Sequence, residues 1–258
     1  MLKNWNARRF TFVELVFVCV LCAAAAAWVA RSRARLAPRP IEVHPESQAL
    51  KDKYGPHRNS YSEEEWCIRD FFSDKKDGFF VDVGANDYKI TSNTYYLDTV
   101  LNWSGIAVEP QRQFQADYVK YRPRTKFLSF FVSDASNQLA KMYVMKKNSL
   151  IASGNRAFTE QVGGKATEID VPTITLTDLL DSEHVKKIDF LSIDIELWEP
   201  KALAGFDVER FRPQLVCIEA HPQVRQQILD YFARHHYIVV GKYLRADVNN
   251  LYFTPFPG

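Results

Sequence analysis

Residues 78–87 read Gly-Phe-Phe-Val-Asp-Val-Gly-Ala-Asn-Asp, a short apolar run that stops at an acid and a glycine. The run from Phe79 to Val83 is continuous and consists of β-branched and aromatic residues around one acid, which is typical of a buried parallel strand. Gly84 and Asn86 then supply the residues that let the backbone turn towards a helix. The stretch therefore predicts the strand-to-helix edge where open α/β sheets bind nucleotide-like ligands.

The turn after this strand contains one glycine, so the G-x-G-x-x-G pattern that cradles a pyrophosphate is absent. Gly84 permits close approach of a ligand, and Asp82 at the strand end can accept hydrogen bonds from an amine or a hydroxyl. A second apolar run, residues 105–108, ends in Glu109, at the position where an acid holds ribose hydroxyls in nucleotide-binding sheets. Acids at two neighbouring strand tips favour a nucleoside without a pyrophosphate, for which S-adenosylmethionine is the candidate.

Polar side chains also follow the later strands, which the sequence predicts over residues 126–132, 187–195 and 215–220. In chain order these side chains are Asp134, Asp194, Glu196, Glu199, Glu219 and His221. Because the carboxyl ends of parallel strands share one edge, we expect the later acids to lie beside Gly84. Asp134 has two readings, an adenine contact or a turn residue. His221 is either a catalytic base or a hydrogen-bonded histidine that caps a helix.

Composition limits the classes of function. The chain has 258 residues, 47% hydrophobic and 25% charged, with a formal net charge of +2, which suits one globular domain with a short appendage. Lys and Arg are interspersed with acids, so the basic footprint of a nucleic-acid-binding protein is missing. The four cysteines show neither a disulfide framework nor zinc spacing, and the sequence predicts no metal site.

Residues 10–30 form the one long apolar segment, interrupted by Thr11 and Glu14 and flanked by arginines on both sides. A membrane-spanning helix needs about 20 such residues, so the segment predicts a single-pass membrane anchor. The alternative is a cleaved signal peptide, because the alanines at 23–27 offer small residues to a peptidase. The arginines on both flanks leave the orientation open.

The predicted organisation therefore has four parts. A short basic N-terminus (residues 1–9) precedes the anchor, and a linker rich in Pro and Arg follows it (residues 31–61). Residues 62–258 form the folded domain. The oligomeric state is not encoded in any pattern of the sequence.

From Gly78 to about Pro255 the sequence resembles the FkbM-type methyltransferases, a branch of the Rossmann-like S-adenosylmethionine-dependent enzymes. The motifs that carry the resemblance are Phe80-Val-Asp-Val-Gly-Ala-Asn86, Ser92-Asn-Thr94, Trp103-Ser-Gly-Ile-Ala-Val-Glu-Pro110, Ser133-Asp134, Val171-Pro172-Thr-Ile-Thr-Leu176, Asp189-Phe-Leu-Ser-Ile-Asp-Ile-Glu196 and Glu219. The resemblance implies an α/β fold with a class I methyltransferase sheet, mostly parallel with one antiparallel strand. It also implies S-adenosylmethionine as cofactor and methylation of an oxygen on a small-molecule or glycan acceptor.

The resemblance also implies roles for the residues at the strand tips. Three of them would line the methionine end of the cofactor, namely Asp82, Gly84 and Asn86. Glu109 would hold the ribose and Asp134 would lie near adenine. Asp194 and Glu196 would face the reacting centre.

The chemistry expected at this centre is removal of the acceptor proton during methyl transfer. Asp194 or His221 is the candidate base, with Glu196 orienting the acceptor hydroxyl or the base. A divalent cation held by the carboxylates is the less favoured alternative, because the sequence shows no second ligand group at fixed spacing.

Two departures from the family pattern leave a different class of protein open. Tyr88 stands where glycine is usual, and Leu197-Trp198 replace the glycine expected after Asp-Ile-Glu. Such bulky side chains would narrow the acceptor pocket, supply a stacking surface or abolish cofactor binding. In the last case the chain would be a membrane-tethered binding module. A nicotinamide-dependent oxidoreductase would share Glu109 but would need the glycine-rich turn that this chain lacks.

Overall fold

A seven-stranded sheet is the central element of the protein, which the computed structural model describes over residues 44–145 and 148–258. The helices and strands in chain order are α1 Pro45–Tyr54, α2 Glu64–Phe72, β1 Phe79–Val83, α3 Tyr95–Thr99, β2 Ser104–Val108, α4 Gln115–Tyr121, β3 Thr125–Leu128, β4 Phe131–Val132, β5 Leu139–Met145, β6 Asn148–Ser153, α5 Arg156–Gly163, β7 Thr167–Ile174, α6 Leu176–Ser182, β8 Phe190–Ile193, α7 Glu199–Ala204, α8 Val208–Phe211, β9 Leu215–Glu219, α9 Arg225–Arg234, β10 Tyr237–Val239 and β11 Asn250–Pro255.

The strand order of the large sheet is β10-β11-β9-β8-β1-β2-β3. β11 runs antiparallel to both of its neighbours, whereas the remaining pairs from β9 to β3 are parallel. The expectation of a mostly parallel sheet with one antiparallel strand is confirmed. β1 lies between β2 and β8, and Asp82 is in register with Ala107 on one side and Ser192 on the other.

Both faces of the sheet are covered, which explains the uninterrupted apolar strands in the sequence. Val81 belongs to a core cluster with the side chains of α6, α7 and α9. Phe80, one residue earlier, points to the opposite face and packs with Trp66 of α2 and with Trp103. Successive strand residues alternate between faces, so one strand contributes to both clusters.

A second, four-stranded sheet has the order β4-β7-β5-β6. The single strand predicted over residues 126–132 is instead divided between the two sheets, because β3 pairs with β2 while β4 pairs with β7. Between β6 and β7 lies the helix α5, which begins at Arg156. Asn155 caps this helix by accepting a hydrogen bond from the Phe158 amide.

The N-terminal part of the described chain is more ordered than the sequence indicates. The linker prediction was wrong for residues 45–54, which form α1 with Pro45 at its first turn. Leu50 is buried in the cluster that holds Trp66, so α1 packs on the domain. The compact unit therefore begins at His44.

The predicted membrane anchor, residues 10–30, lies outside the described residues. Over residues 44–145 and 148–258, no helix has both the length and the apolar character needed to cross a membrane.

Candidate active site

A cavity of about 370 Å³ opens at the carboxyl ends of β1, β8 and β9. Its walls come from widely separated parts of the chain. They are formed by Tyr61, Glu64, Asp82, Gly84, Ala85, Asn86, Thr91, Ser92, Asn93, Phe158, Val162, Asp194, Glu196, Glu219, His221, Asn249 and Asn250. Six of the eight residues predicted for the site line this cavity, which is the edge at which open α/β sheets bind ligands.

The turn after β1 makes the floor of the cavity and depends on glycine. Gly84 has a φ of 85°, and a Cβ atom at this position would lie 1.9 Å from the carbonyl oxygen of Asp194. The Gly84 amide donates to the carbonyl of Val108 at 2.9 Å, and Asn86 has a φ of 47°. The left-handed bend therefore brings the loops after β1, β2 and β8 into direct contact.

Asp82 is buried at the end of β1 and is fixed by hydroxyl donors. The Thr94 hydroxyl donates to it at 2.7 Å, and the fully buried Arg122 donates to Thr94 and lies near Asp82. Ser192 on β8 also bonds Asp82 and accepts from the Asn93 amide at 3.0 Å. Burial raises the pKa of Asp82, while these donors and Arg122 oppose the rise.

Glu109 lies beside a second, smaller cavity of about 30 Å³. Its carboxylate is 4% exposed and accepts hydrogen bonds from the backbone amides of Asn86 at 3.3 Å and Gln111 at 2.9 Å. Burial raises the pKa of Glu109 to about 7, although the two amides oppose this. The two cavities share four wall residues, namely Gly84, Asn86, Asp194 and Glu196.

Asp134 lies away from both cavities. Its carboxylate is 2.6 Å from the ammonium group of Lys201 and accepts a hydrogen bond from the Ser133 hydroxyl. The hydrogen bond from Lys201 lowers the pKa of Asp134. An adenine contact for Asp134 stays a prediction, since Asp134 lines neither cavity.

Four carboxylates and one imidazole gather where β8 and β9 end. His221 Nε2 is 3.4 Å from Glu196 Oε2 and 3.1 Å from Glu219 Oε1. Asp194 is exposed to the cavity. Glu199 is fully buried and accepts a hydrogen bond from the Ile195 amide at 3.1 Å. The predicted catalytic residues are thus brought together by the parallel pairing of β8 with β9.

The crowding of these acids shifts their ionisation. Burial, followed by the charges of Glu196 and Glu199, raises the pKa of Glu219 to about 9. Burial also raises the pKa of Glu199, to about 7. Desolvation by the surrounding protein raises the pKa of Asp194, and the charges of the neighbouring carboxylates raise it further. Carboxylates in contact cannot all ionise at once at little cost, so the cluster titrates as a unit.

The two departures from the family pattern leave both cavities open. Tyr88 stacks on Tyr121 with 4.8 Å between ring centroids, and Trp198 packs on Phe131 at 5.4 Å. Leu197 has a φ of 73°, a left-handed conformation that glycine adopts most easily, which explains why the family pattern has glycine there. The side chain of Leu197 packs against the core. None of Tyr88, Leu197 and Trp198 lines either cavity.

Several wall residues had no signal in the sequence. Glu64 lies at the start of α2, is 5% exposed and accepts a hydrogen bond from the Asn250 side chain at 3.0 Å. Its burial depends on β11, which lies 186 residues further along the chain. Phe158 of α5 lies with its ring 5.2 Å from that of His221. A helical pattern with apolar residues at 158 and 162 was the one available signal for α5.

The fold and the site together define an open α/β sheet with a nucleoside-type pocket at its carboxyl edge. The methyltransferase FkbM domain matches residues 82–239, and the chain belongs to this family. The protein is therefore a methyltransferase by family, and its cofactor is S-adenosylmethionine. No curated protein matches the sequence significantly.

Three solved structures resemble the chain weakly. Precorrin-6y C5,15-methyltransferase from Geobacter metallireducens GS-15 is 11% identical, with 73% of this chain and 78% of that chain covered and a TM-score of 0.40. A TehB-like SAM-dependent methyltransferase from Corynebacterium glutamicum is 11% identical, with 90% of this chain and 98% of that chain covered and a TM-score of 0.39. A SAM-dependent methyltransferase from Geobacter sulfurreducens, in complex with S-adenosyl-L-homocysteine, is 11% identical. The match covers 81% of this chain and 80% of that chain, with a TM-score of 0.35. These likenesses are too weak to say anything about chemistry.

The residues present suit S-adenosylmethionine. Glu109 presents a buried carboxylate at the smaller cavity, and the two cavities meet at Gly84, Asn86, Asp194 and Glu196. The methionine end would lie towards Asp82 and Asn86, in the larger cavity. The smaller cavity has a volume of about 30 Å³, which is room for about one water molecule.

Proposed function

We propose that the protein is a membrane-anchored O-methyltransferase that acts on a hydroxyl of a sugar, a glycolipid or another metabolite. The observation that carries the proposal is the carboxylate of Asp194, which is exposed to the larger cavity directly beside the bend at Gly84. A carboxylate at that position is available to an acceptor hydroxyl. Bound S-adenosylmethionine supplies an electrophilic methyl group.

The walls of the larger cavity suit an acceptor that carries several hydroxyls. Asn93, Asn249 and Asn250 bring side-chain amides to the wall. The NH₂ groups of Asn93 and Asn249 each donate one hydrogen bond within the protein, to Ser192 and Ser62, and an NH₂ group has two hydrogens to donate. Tyr61 is 73% exposed at the same cavity and offers an aromatic face. Phe158 and Val162 of α5 add apolar side chains to the wall. Polar groups that converge in a partly apolar pocket fix the orientation of a ligand.

Proton removal is assigned to Asp194 rather than to His221. The Nε2 atom of His221 already faces the carboxylates of Glu196 and Glu219 at 3.4 and 3.1 Å. Asp194 is more exposed to the cavity than its neighbours. Asp194 therefore accepts the acceptor proton, and Glu196 orients the acceptor hydroxyl.

The test is transfer of a labelled methyl group from S-adenosylmethionine to membrane lipid and glycan extracts by the full-length chain. Asp194→Asn should lower turnover by 10²-fold or more, because general bases contribute about 10²-fold to 10⁴-fold. S-Adenosylhomocysteine should bind this variant within about 3-fold of the wild type, as measured by calorimetry. Asp230→Asn, a surface change on α9, is the matched control and should be fully active.

Full activity of Asp194→Asn would remove Asp194 from the role of base. Absence of S-adenosylhomocysteine binding to the wild-type chain would instead favour the binding module. Labelling of protein but not of lipid, glycan or small metabolites would contradict the proposed acceptor class.

Membrane attachment through residues 10–30 is part of the proposal and is supported by the length and composition of that segment. An anchor would hold the cavity near acceptors that are themselves confined to a membrane. Mass spectrometry of the mature N-terminus separates a retained anchor from a cleaved signal peptide.

A further inference from the structure

Three side chains in the wall of the larger cavity bring atoms that can bind a metal ion close to one another. They are Glu196 in the loop after β8, Glu219 at the end of β9, and His221 two residues later. One carboxylate oxygen of Glu196, one of Glu219 and a ring nitrogen of His221 all lie within 4.8 Å of one another. The parallel register of Ile193 with Ile218 creates this arrangement, which spacing along the chain did not reveal.

The separations match those between neighbouring ligands of a small cation. First-row divalent metals bind imidazole nitrogen at about 2.0–2.1 Å and carboxylate oxygen at about 2.0–2.2 Å, which places adjacent ligands about 3.0–3.4 Å apart. The observed distances from His221 Nε2 are 3.1 Å to Glu219 and 3.4 Å to Glu196. One ring nitrogen carries a single proton or a single lone pair, so it bonds only one of the two carboxylates well.

The surroundings supply an independent reason for a cation. Glu199 is fully buried, and its Oε2 atom has no hydrogen-bond partner in the described structure. Its charge acts on Glu196, Glu219 and His221. The Oε2 atom of Glu219 is likewise buried without a partner. Over residues 44–145 and 148–258, no Lys or Arg forms an ion pair with these acids.

Buried carboxylates without a balancing charge are costly, and proteins pair them or coordinate a metal with them. We propose that Glu196, Glu219 and His221 bind a divalent first-row cation in the wall of the acceptor cavity. Carboxylates suit Mn²⁺, and an imidazole suits the later first-row metals, so the mixed set fits a first-row ion better than Ca²⁺. Glu199 holds the loop that carries Glu196 through its bond to Ile195.

A role for the cation in catalysis, unlike the site itself, rests on the proposed methyl transfer. A cation beside Asp194 lowers the pKa of an acceptor hydroxyl. The O–H bond then breaks with its proton passing to Asp194, and the new C–O bond forms as the C–S bond breaks. S-Adenosylhomocysteine leaves as a neutral thioether, and the cation is unchanged.

The experiment is titration of the chelator-treated full-length chain with MnCl₂, followed by the electron paramagnetic resonance signal of free Mn²⁺. The wild-type chain should take up one Mn²⁺ at this site with micromolar affinity. Glu219→Gln and His221→Asn should each weaken binding about 10-fold or more, since each removes a ligand. Glu209→Gln is the matched control, because Glu209 forms a 2.9 Å pair with His235 on the surface.

Absence of Mn²⁺ uptake by the wild type, or equal uptake by Glu219→Gln, would overturn the site. Calorimetry with S-adenosylhomocysteine on the same samples measures cofactor binding independently of Mn²⁺ binding. A variant that still binds S-adenosylhomocysteine is folded, so loss of Mn²⁺ uptake in it reports on the metal site alone. Glu109→Gln should bind S-adenosylhomocysteine more weakly but keep its affinity for Mn²⁺, whereas Glu219→Gln should bind Mn²⁺ more weakly but keep its affinity for S-adenosylhomocysteine. Should Glu219→Gln fail to fold, Glu196→Gln tests the same site, because it alters a different loop.

Discussion

At the scale of single residues, the role proposed for Glu109 in holding the ribose links cofactor affinity to the protonation of its carboxylate. Its carboxylate is nearly inaccessible, and burial raises its pKa to about 7. Only the ionised form offers all of its lone pairs to ribose hydroxyls. Cofactor affinity should therefore depend on pH in the physiological range.

We expect the affinity for S-adenosylhomocysteine to rise with pH and to level off above about 8. The ionised fraction of Glu109 changes about 10-fold between pH 6 and pH 8 for a pKa of about 7, so the affinity should be about 10-fold weaker at pH 6. Calorimetry of the full-length chain at both values measures this. Glu109→Gln should bind more weakly and show no such slope, and a slope of the same size in that variant would contradict the assignment.

The same residue should weaken the unliganded fold at high pH. The pKa of Glu109 is raised in the folded state from 4.5 to about 7, so the stability that its neutral form contributes is complete below about 4.5 and is lost as pH rises through about 7. Glu109→Gln should therefore increase the free energy of unfolding at pH 8 by about 1–3 kcal/mol and change it little at pH 5. Thermal unfolding at the two values checks the sign, and a loss of stability at pH 8 would contradict it.

The site residues that could be predicted from the sequence are those that lie at the end of a recognisable strand. Asp82, Glu109 and Asp194 were found because each ends or follows an apolar run, and parallel strands bring such ends to one edge. Glu64 and Asn250 were missed because their contact joins a helix start to the last strand. No local pattern encodes that pairing. The metal-ligand geometry of Glu196 with Glu219 likewise exists only once β8 and β9 are in register.

At the scale of elements, the bend after β1 fixes how three loops meet. A side chain at position 84 would collide with the Asp194 backbone, and the φ of 85° is unfavourable for any residue with a Cβ. The close approach of the loops after β1 and β8 is what places Asp194 at the cavity.

Gly84→Ala should therefore destabilise the fold by about 2 kcal/mol or more and abolish binding of S-adenosylhomocysteine. Gly241→Ala is the matched control, because no atom lies within 4 Å of a Cβ built there. Denaturant unfolding and calorimetry measure the two effects. Wild-type affinity in Gly84→Ala would show that the bend tolerates a side chain and does not define the site.

The strands of the large sheet were predictable, whereas the division of residues 126–132 between two sheets and the helix α5 were not. Continuous apolar runs identified β1, β8 and β9 directly. The strands of the second sheet have partly exposed faces, and the apolar residues of β5 and β7 are interrupted by charged ones. Their pairing depends on tertiary packing beside Trp198 and not on local sequence.

At the scale of the whole molecule, the proposed anchor should decide where the protein is found. Val20→Arg introduces a charge into the middle of residues 10–30, where it would cost about 2.5 kcal/mol or more in a bilayer. The variant should shift from the membrane fraction to the supernatant after carbonate washing, while wild type stays with membranes. Lys242→Arg, a surface change in the described domain, is the control. Equal partitioning of both forms would contradict an anchor at these residues.

The position of β11 in the sheet has a consequence for synthesis of the protein. Asn250 pairs with Glu219 and closes the cavity wall against Glu64, so residues almost 190 positions apart must meet before the pocket has all its sides. During synthesis the chain contains Glu109 and the bend at Gly84 well before it contains β11. Chains that stop before β11 therefore lack the contacts that close the acceptor side of the cavity.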